Sequence, residues 1–167
     1  MDQLTERMDE LTERVNQLAE AQRLTKERLQ KLIGDHRKTR EHLQGLSDTL
    51  GYVLEDRALR GLPKILKERY GLEVVGALRR THLRRGNRYI KVNIYGEVRR
   101  NGESLILIGE AKSRISKRAV DAFLKKSQQV GGKQVRVFVG YLIPPSLEPY
   151  LQEHGILYIP SYELPLA

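Results

Sequence analysis

Apolar residues in the first third of the chain recur with a period of seven. The segment divides into MDQLTER, MDELTER, VNQLAEA, QRLTKER, LQKLIGD, HRKTREH, LQGLSDT and LGYVLED. First positions are Met1, Met8, Val15, Gln22, Leu29, His36, Leu43 and Leu50; fourth positions are Leu4, Leu11, Leu18, Thr25, Leu32, Thr39, Leu46 and Val53. An a/d seam sustained over eight heptads predicts a coiled-coil helix, about 80 Å long from the rise of an α-helix. A helix with such a seam leaves it uncovered alone, so a second copy of the chain is implied, as a homo-oligomer and most simply a dimer. Two stretches of the seam are polar, Gln22 with Thr25 and His36 with Thr39. Polar a positions lower stability and specify register. Gly34, Gly45 and Gly51 lie off the seam. A helical hairpin broken at Gly34-Asp35 is the alternative, and the unbroken heptad phase across that point argues against it.

The phase ends after Asp56, but helical spacing continues through Leu59, Leu62, Ile65 and Leu66 to Tyr70-Gly71. Gly71 suits a helix stop, and Pro63 predicts a kink or a fresh helix start. Residues 72–78 then read as a short strand, and residues 79–88 as a basic loop or an extension of it. Two further strands flank Asn101-Gly102, the strongest short signal for a two-residue hairpin turn of type I′. Ser116 suits the N-cap of a helix reaching about Val130, with Val120, Phe123 and Leu124 on its apolar side. "QVRVFVGYLI" is a strand, residues 144–153 a short helix ended by His154-Gly155, and "ILYI" a last strand. The C-terminal "PSYELPLA" reads as a tail without chemistry. The order predicts an α/β domain, a mixed sheet flanked by helices, with a boundary between residues 1–53 and 54–167.

The turn also predicts a register. Pairing Arg100 with Glu103 sets Asn93 opposite Glu110 and Lys91 opposite Lys112. Opposed Cβ atoms lie about 5 Å apart, and alternation puts all four side chains on one face. Val92, Ile94, Ala111 and Gly109 take the other face. One β-bulge would shift this pairing. A carboxylate in so apolar a strand needs a partner. Lys112 or Lys91 can be a plain ion-pair partner of Glu110. The same residues also suit chemistry: a carboxylate beside a second oxygen ligand can hold Mg²⁺, and a nearby lysine can assist an attacking water.

Charge sharpens this picture. Residues 1–56 carry 9 Lys+Arg against 12 Asp+Glu, whereas residues 57–167 carry 21 against 9. Within residues 79–100 stand Arg79, Arg80, Arg84, Arg85, Arg88, Lys91, Arg99 and Arg100 against the single acid Glu97, with Tyr89 and Tyr95 interleaved. Arginine forks grip phosphates, so this window predicts nucleic-acid binding that is steeply salt-dependent and weakly sequence-specific. Lys117, Arg118, Lys125 and Lys126 would extend the track along the following helix, unless they simply form a solvated face. His82 and His154 suit exposed or helix-ending positions. The chain has no cysteine, which excludes disulfides and thiolate metal sites. It also lacks a long apolar run, a signal-peptide core, a phosphate-cradling glycine loop and a dinucleotide fingerprint. The expected setting is soluble and cytoplasmic.

"VNIYGEVRRNGESLILIGEAKS" resembles the PD-(D/E)XK, or restriction-endonuclease-like, nuclease superfamily, in which an acid on one strand precedes E/D-x-K on the next. Glu110 and Lys112 match the E-x-K positions. The heptads followed by this core also resemble an uncharacterised prokaryotic group with an N-terminal coiled coil. The superfamily resemblance covers about residues 52–160 and implies a Mg²⁺- or Mn²⁺-dependent phosphodiesterase acting on DNA. It implies that Glu110 and residue 93 hold the metal, Lys112 assists the water, and Glu55 on the preceding helix supports the site. Asn93 departs from the aspartate the family places there, so the metal should bind weakly and cleavage should be slow or absent. Glu97 is a poor substitute, about 13 Å up the strand. Gln128 and Gln129 could approach the site from the following helix, as glutamines do in some relatives, but a plain helix-surface role suits them better. The runner-up readings are a non-catalytic architectural nucleic-acid-binding protein, a Holliday-junction-resolvase-like nuclease, and a scaffold whose basic domain meets a protein partner.

Overall fold

A computed structural model of the chain describes residues 2–165. Met1, the first seam position, and Leu166-Ala167 at the end of the tail lie outside the described residues. The protein is α/β: a long N-terminal helix precedes a five-stranded mixed sheet with helices. The chain divides into two units, Met1–Leu46 and Ser47–Ala167. No helix among the described residues is long and apolar enough to cross a membrane.

Helix α1 spans Asp2–Tyr70. Within the first unit its seam side chains stand in solvent, with Leu4, Leu11 and Leu18 each more than half exposed. The hydroxyls of Thr25 and Thr39 donate to the carbonyls of Ala21 and Asp35 one turn back. These two threonine hydroxyls are therefore satisfied by their own helix. Arg23 bridges Glu20 and Glu27, and Arg37 pairs with Glu41, on the outer faces.

In the second unit, α1 runs through Pro63 as one continuous helix, so the fresh helix start, one of the two expectations there, is corrected. Proline removes one backbone hydrogen bond, yet Leu62, Ile65 and Leu66 on either side are buried, and that packing outweighs the local penalty. Gly71 takes the left-handed conformation that ends the helix (φ 62°). The strands are β1 (Glu73–Arg85), β2 (Arg88–Arg100), β3 (Glu103–Arg114), β4 (Gln134–Leu142) and β5 (Ile156–Pro160); α2 is Lys117–Val130 and α3 Glu148–Glu153. The basic stretch 79–85 is thus ordered strand, and β1 nearly doubles the length expected for it. It forms an edge whose arginines point into water at several positions, a composition that discourages edge-to-edge pairing.

The strands lie in the order β1-β2-β3-β4-β5. The first two pairings are antiparallel and the last two parallel. Successive parallel crossovers of one hand, moving the same way across a sheet, put their helices on one face. Accordingly α2 and α3 share a cluster: Val120, Phe123 and Leu151 pack with Ile108 and Phe138. The opposite face belongs to α1, whose Leu54, Ala58, Leu62 and Leu66 pack with Ile94, Leu107, Val137 and Val139. Leu107, Val137 and Val139 face one way while Ile108 and Phe138 face the other, the period-two alternation of a sheet covered on both sides.

The tail is more than an appendage. A turn of 3-10 helix at Ser161–Glu163 buries Ser161 and Leu164. Glu163 pairs with Arg69 of α1. A Cβ on Gly61 would meet Pro165 at 3.0 Å and Leu164 at 3.2 Å, so the absence of a side chain lets the tail cross α1.

Candidate functional site

The hairpin turn at Asn101-Gly102 has positive φ at both residues (51° and 80°), as a type I′ turn requires. From it the ladder runs Arg100 with Glu103 down to Ile94 with Gly109, the register read from the sequence. Below Ile94 the regular ladder stops, because β2 carries a bulge against β1. Pairing passes from Arg79–Tyr95 to Thr81–Val92, so Asn93 and Ile94 together face Arg80. The bulge breaks the alternation expected for β2. Val92 joins the α2-side cluster while Ile94 belongs to the α1 side, which corrects the assignment of both to one face.

Asn93 nevertheless meets Glu110, its Nδ2 donating to Oε1 at 3.1 Å. Glu110 is 7% exposed. Its other oxygen accepts from Lys126 Nζ at 3.0 Å. The partner of Glu110 is thus a lysine of α2, whereas Lys91 and Lys112 were the candidates expected from the hairpin alone. Two features bring Lys126 there. Phe123 packs edge-on against Phe138 with ring centroids 5.2 Å apart, seating α2 on the sheet. Ser127, fully buried, donates to Gln134 Oε1 and accepts from Arg136 Nε, tying the C-terminal end of α2 to β4.

From α1 come Asp48, Gly51, Tyr52 and Glu55, spaced i, i+3, i+4 and i+7 and so on one helical face. These residues, with Lys91, Asn93, Glu110, Lys112 and Lys126, line a cavity of about 300 Å³. Glu55 is 5% exposed and accepts from Arg80, whose guanidinium also reaches Asp56 Oδ1 (2.6 Å) and the Tyr52 carbonyl (3.1 Å). The Glu55 carboxylate holds the Arg80 guanidinium above its ordinary range, against the opposing effect of burial. Lys91 Nζ lies 5.7 Å from the centre of the Tyr52 ring. Lys112 is exposed and forms no ion pair among the described residues.

Mg²⁺ asks for about six oxygen ligands in near-octahedral order. Here each oxygen of Glu110 already accepts a hydrogen bond, Asn93 turns its amide nitrogen toward Glu110, and Glu55 is held by Arg80. Among the described residues no group of three or more His, Asp or Glu side chains could hold a metal ion. As arranged, the donor set does not fit Mg²⁺. Glu97 accepts from Ser104 and lines a different hollow, between β1, β2 and β3, so it does not supply the missing carboxylate.

The basic candidates separate along the strands. Arg84, Arg85 and Arg88 flank the β1–β2 turn, at the level of Tyr89 and Arg88 and so about 13–17 Å along β2 from Asn93. Arg99 and Arg100 stand at the opposite end of β2, about 20 Å beyond Asn93. Arg85 donates to the Val130 carbonyl that ends α2, and Arg84 to the Gly86 carbonyl in the turn. Arg79 covers the Tyr95 ring and Lys117 the Tyr150 ring. Arg88 and Arg118 are exposed, as are Gln128 and Gln129 on α2. Asp48, Gly51 and Tyr52 escaped the sequence reading as site residues, although their spacing with Glu55 was a usable signal. No protein family matches the chain, and no curated protein matches it either.

Proposed function

We propose that the chain binds nucleic acid, DNA foremost, through a restriction-endonuclease-like domain whose phosphodiester-cleaving site is weakened or silent. The observation that carries this reading is the pairing of Asn93 with Glu110 at 3.1 Å, two residues before Lys112, in a cavity bordered by cations. An acid, a hairpin and E-x-K between two helices is the layout of that superfamily, and the antiparallel hairpin continued by parallel strands supports it. In an active ancestor, residue 93 and Glu110 would hold Mg²⁺ or Mn²⁺; here the amide and the engaged carboxylates account for weak metal binding and low activity.

The experiment measures affinity for duplex, single-stranded and branched DNA against salt, then cleavage by the chain and by Asn93→Asp with Mg²⁺ or Mn²⁺. Contact with six to ten phosphates would weaken binding by about 10³-fold or more between roughly 50 and 200 mM salt. Salt-independent binding, or none, overturns the nucleic-acid reading and favours a protein partner. Asn93→Asp is expected to raise cleavage, with preference for branched DNA marking the junction-resolving variant. A folded Asn93→Asp that cuts none of these DNAs leaves the architectural reading, which the Glu110–Lys126 and Glu55–Arg80 pairs already favour as structural locks.

We infer also that the exposed seam of α1 pairs with a second copy of the chain. Leu4, Leu11, Leu18, Leu32, Leu43 and Leu46 recur on one stripe and remain in water in the single chain, an exposure that burial in a coiled coil relieves. Light scattering should give a multiple of the 19.3 kDa chain mass. Leu11→Glu with Leu18→Glu should return it to the monomer mass with helix content of the second unit retained. A monomeric wild-type chain at micromolar concentration would refute the pairing.

A further inference from the structure

We propose that the ammonium group of Lys126 takes the place of a metal ion in this pocket, making it a metal-independent seat for a backbone phosphate. The inference deepens the nucleic-acid reading and rests on it for the identity of the anion. Its basis is the disagreement between the donor set and a metal. Glu110 lies at the bottom of the cavity with only 9% of its side chain exposed, and the one full charge bonded to it belongs to Lys126, itself 26% exposed. An ammonium and a hydrated Mg²⁺ compete for the single charge of Glu110, because two cations held against one carboxylate repel each other.

The remaining charges point the same way. Glu55 is matched by Arg80 and Glu110 by Lys126, and Lys91 and Lys112 add two further cations to the lining, which also includes Asp48. Lysine is a compact point charge with three rotatable donors, so Lys126 can keep one N–H on Glu110 and turn another toward a phosphate oxygen. The cavity, about 300 Å³, exceeds the roughly 30 Å³ share of one water by enough to admit a phosphate group. No bond is made or broken in such a seat; it positions the backbone and leaves it intact.

Two measurements on the full chain test the exchange of lysine for metal. In calorimetric titration with MgCl₂ alone, Lys126→Met should bind Mg²⁺ about tenfold or more tightly than wild type, and Asn93→Asp with Lys126→Met more tightly still. Lys126→Arg keeps the charge and should resemble wild type, which separates loss of the cation from loss of the fold. In fluorescence anisotropy with a labelled DNA duplex, wild-type affinity should be equal in EDTA and in MgCl₂ at matched ionic strength. Lys126→Met should weaken that binding uniformly across sequences and lower the salt slope by about 1. Equal Mg²⁺ affinity of wild type and Lys126→Met, or duplex binding by wild type that needs Mg²⁺, overturns the proposal. If wild type binds no duplex in either buffer, the nucleic-acid reading and the phosphate seat fall together, whereas the MgCl₂ titration still decides whether Lys126 excludes the metal.

Discussion

Arg80→Ala is expected to lower folding stability by about 3 kcal/mol, an effect larger than a lost phosphate contact explains. Arg80 stands in the basic window with the residues expected to grip nucleic acid, yet its guanidinium binds Glu55, Asp56 and the Tyr52 carbonyl. Glu55 is 5% exposed. Removing one partner of a buried pair strands the other charge, at a cost of about 3–5 kcal/mol. The value belongs at the lower end because a third of the Arg80 side chain is in water. Urea unfolding of wild type, Arg80→Ala and the double variant Glu55→Gln with Arg80→Met provides the measurement. The double variant should recover much of the loss, since neither charge is then left alone. An Arg80→Ala protein that unfolds at the wild-type urea concentration but loses duplex affinity would identify Arg80 as a phosphate contact instead.

Phe138→Ala should cost about 3–5 kcal/mol, the usual range for emptying a buried aromatic site. Phe138 is fully buried and meets Phe123 in a T-shaped contact, one of the contacts through which α2 rests on β4. Because α2 carries Lys126, the same substitution should loosen the Glu110–Lys126 pair. The thermal midpoint of the sheet-containing unit reports the stability change. Leu142→Ala, on the same strand but 60% exposed, should stay within about 0.5 kcal/mol of wild type. Equal losses at both positions would show that α2 does not depend on this contact.

The contrast between these residues reflects how far along the chain their partners lie. The heptads, the Ser116 cap and the Asn101-Gly102 turn are read from neighbours within a few residues. Their geometry follows from helix and hairpin rules that no distant contact has to confirm. The turn even carried its register seven residues away, to the neighbours of Asn93 and Glu110, because a ladder propagates pairing one rung at a time. It stopped being reliable where β2 bulges opposite Arg80. A bulge answers to the strand on the other side, and nothing in the hairpin itself announces it.

Basic composition likewise identified a cationic half without dividing its charges into roles. Arg80 became a strut, Arg85 a cap on the last carbonyl of α2, and Lys126 the partner of Glu110. Pro63 was overruled by the apolar residues around it, and the tail found a groove that Gly61 opens. The sequence by itself determined the seam, the strand and helix order, the hairpin register and the asymmetry of charge, because each is a local or cumulative property of the chain. Only the tertiary structure decided which cation neutralises Glu110 and which acid neutralises Arg80. Those partners stand 16 and 25 residues apart. They meet through the order of strands and the face each helix covers, which are properties of the assembled sheet.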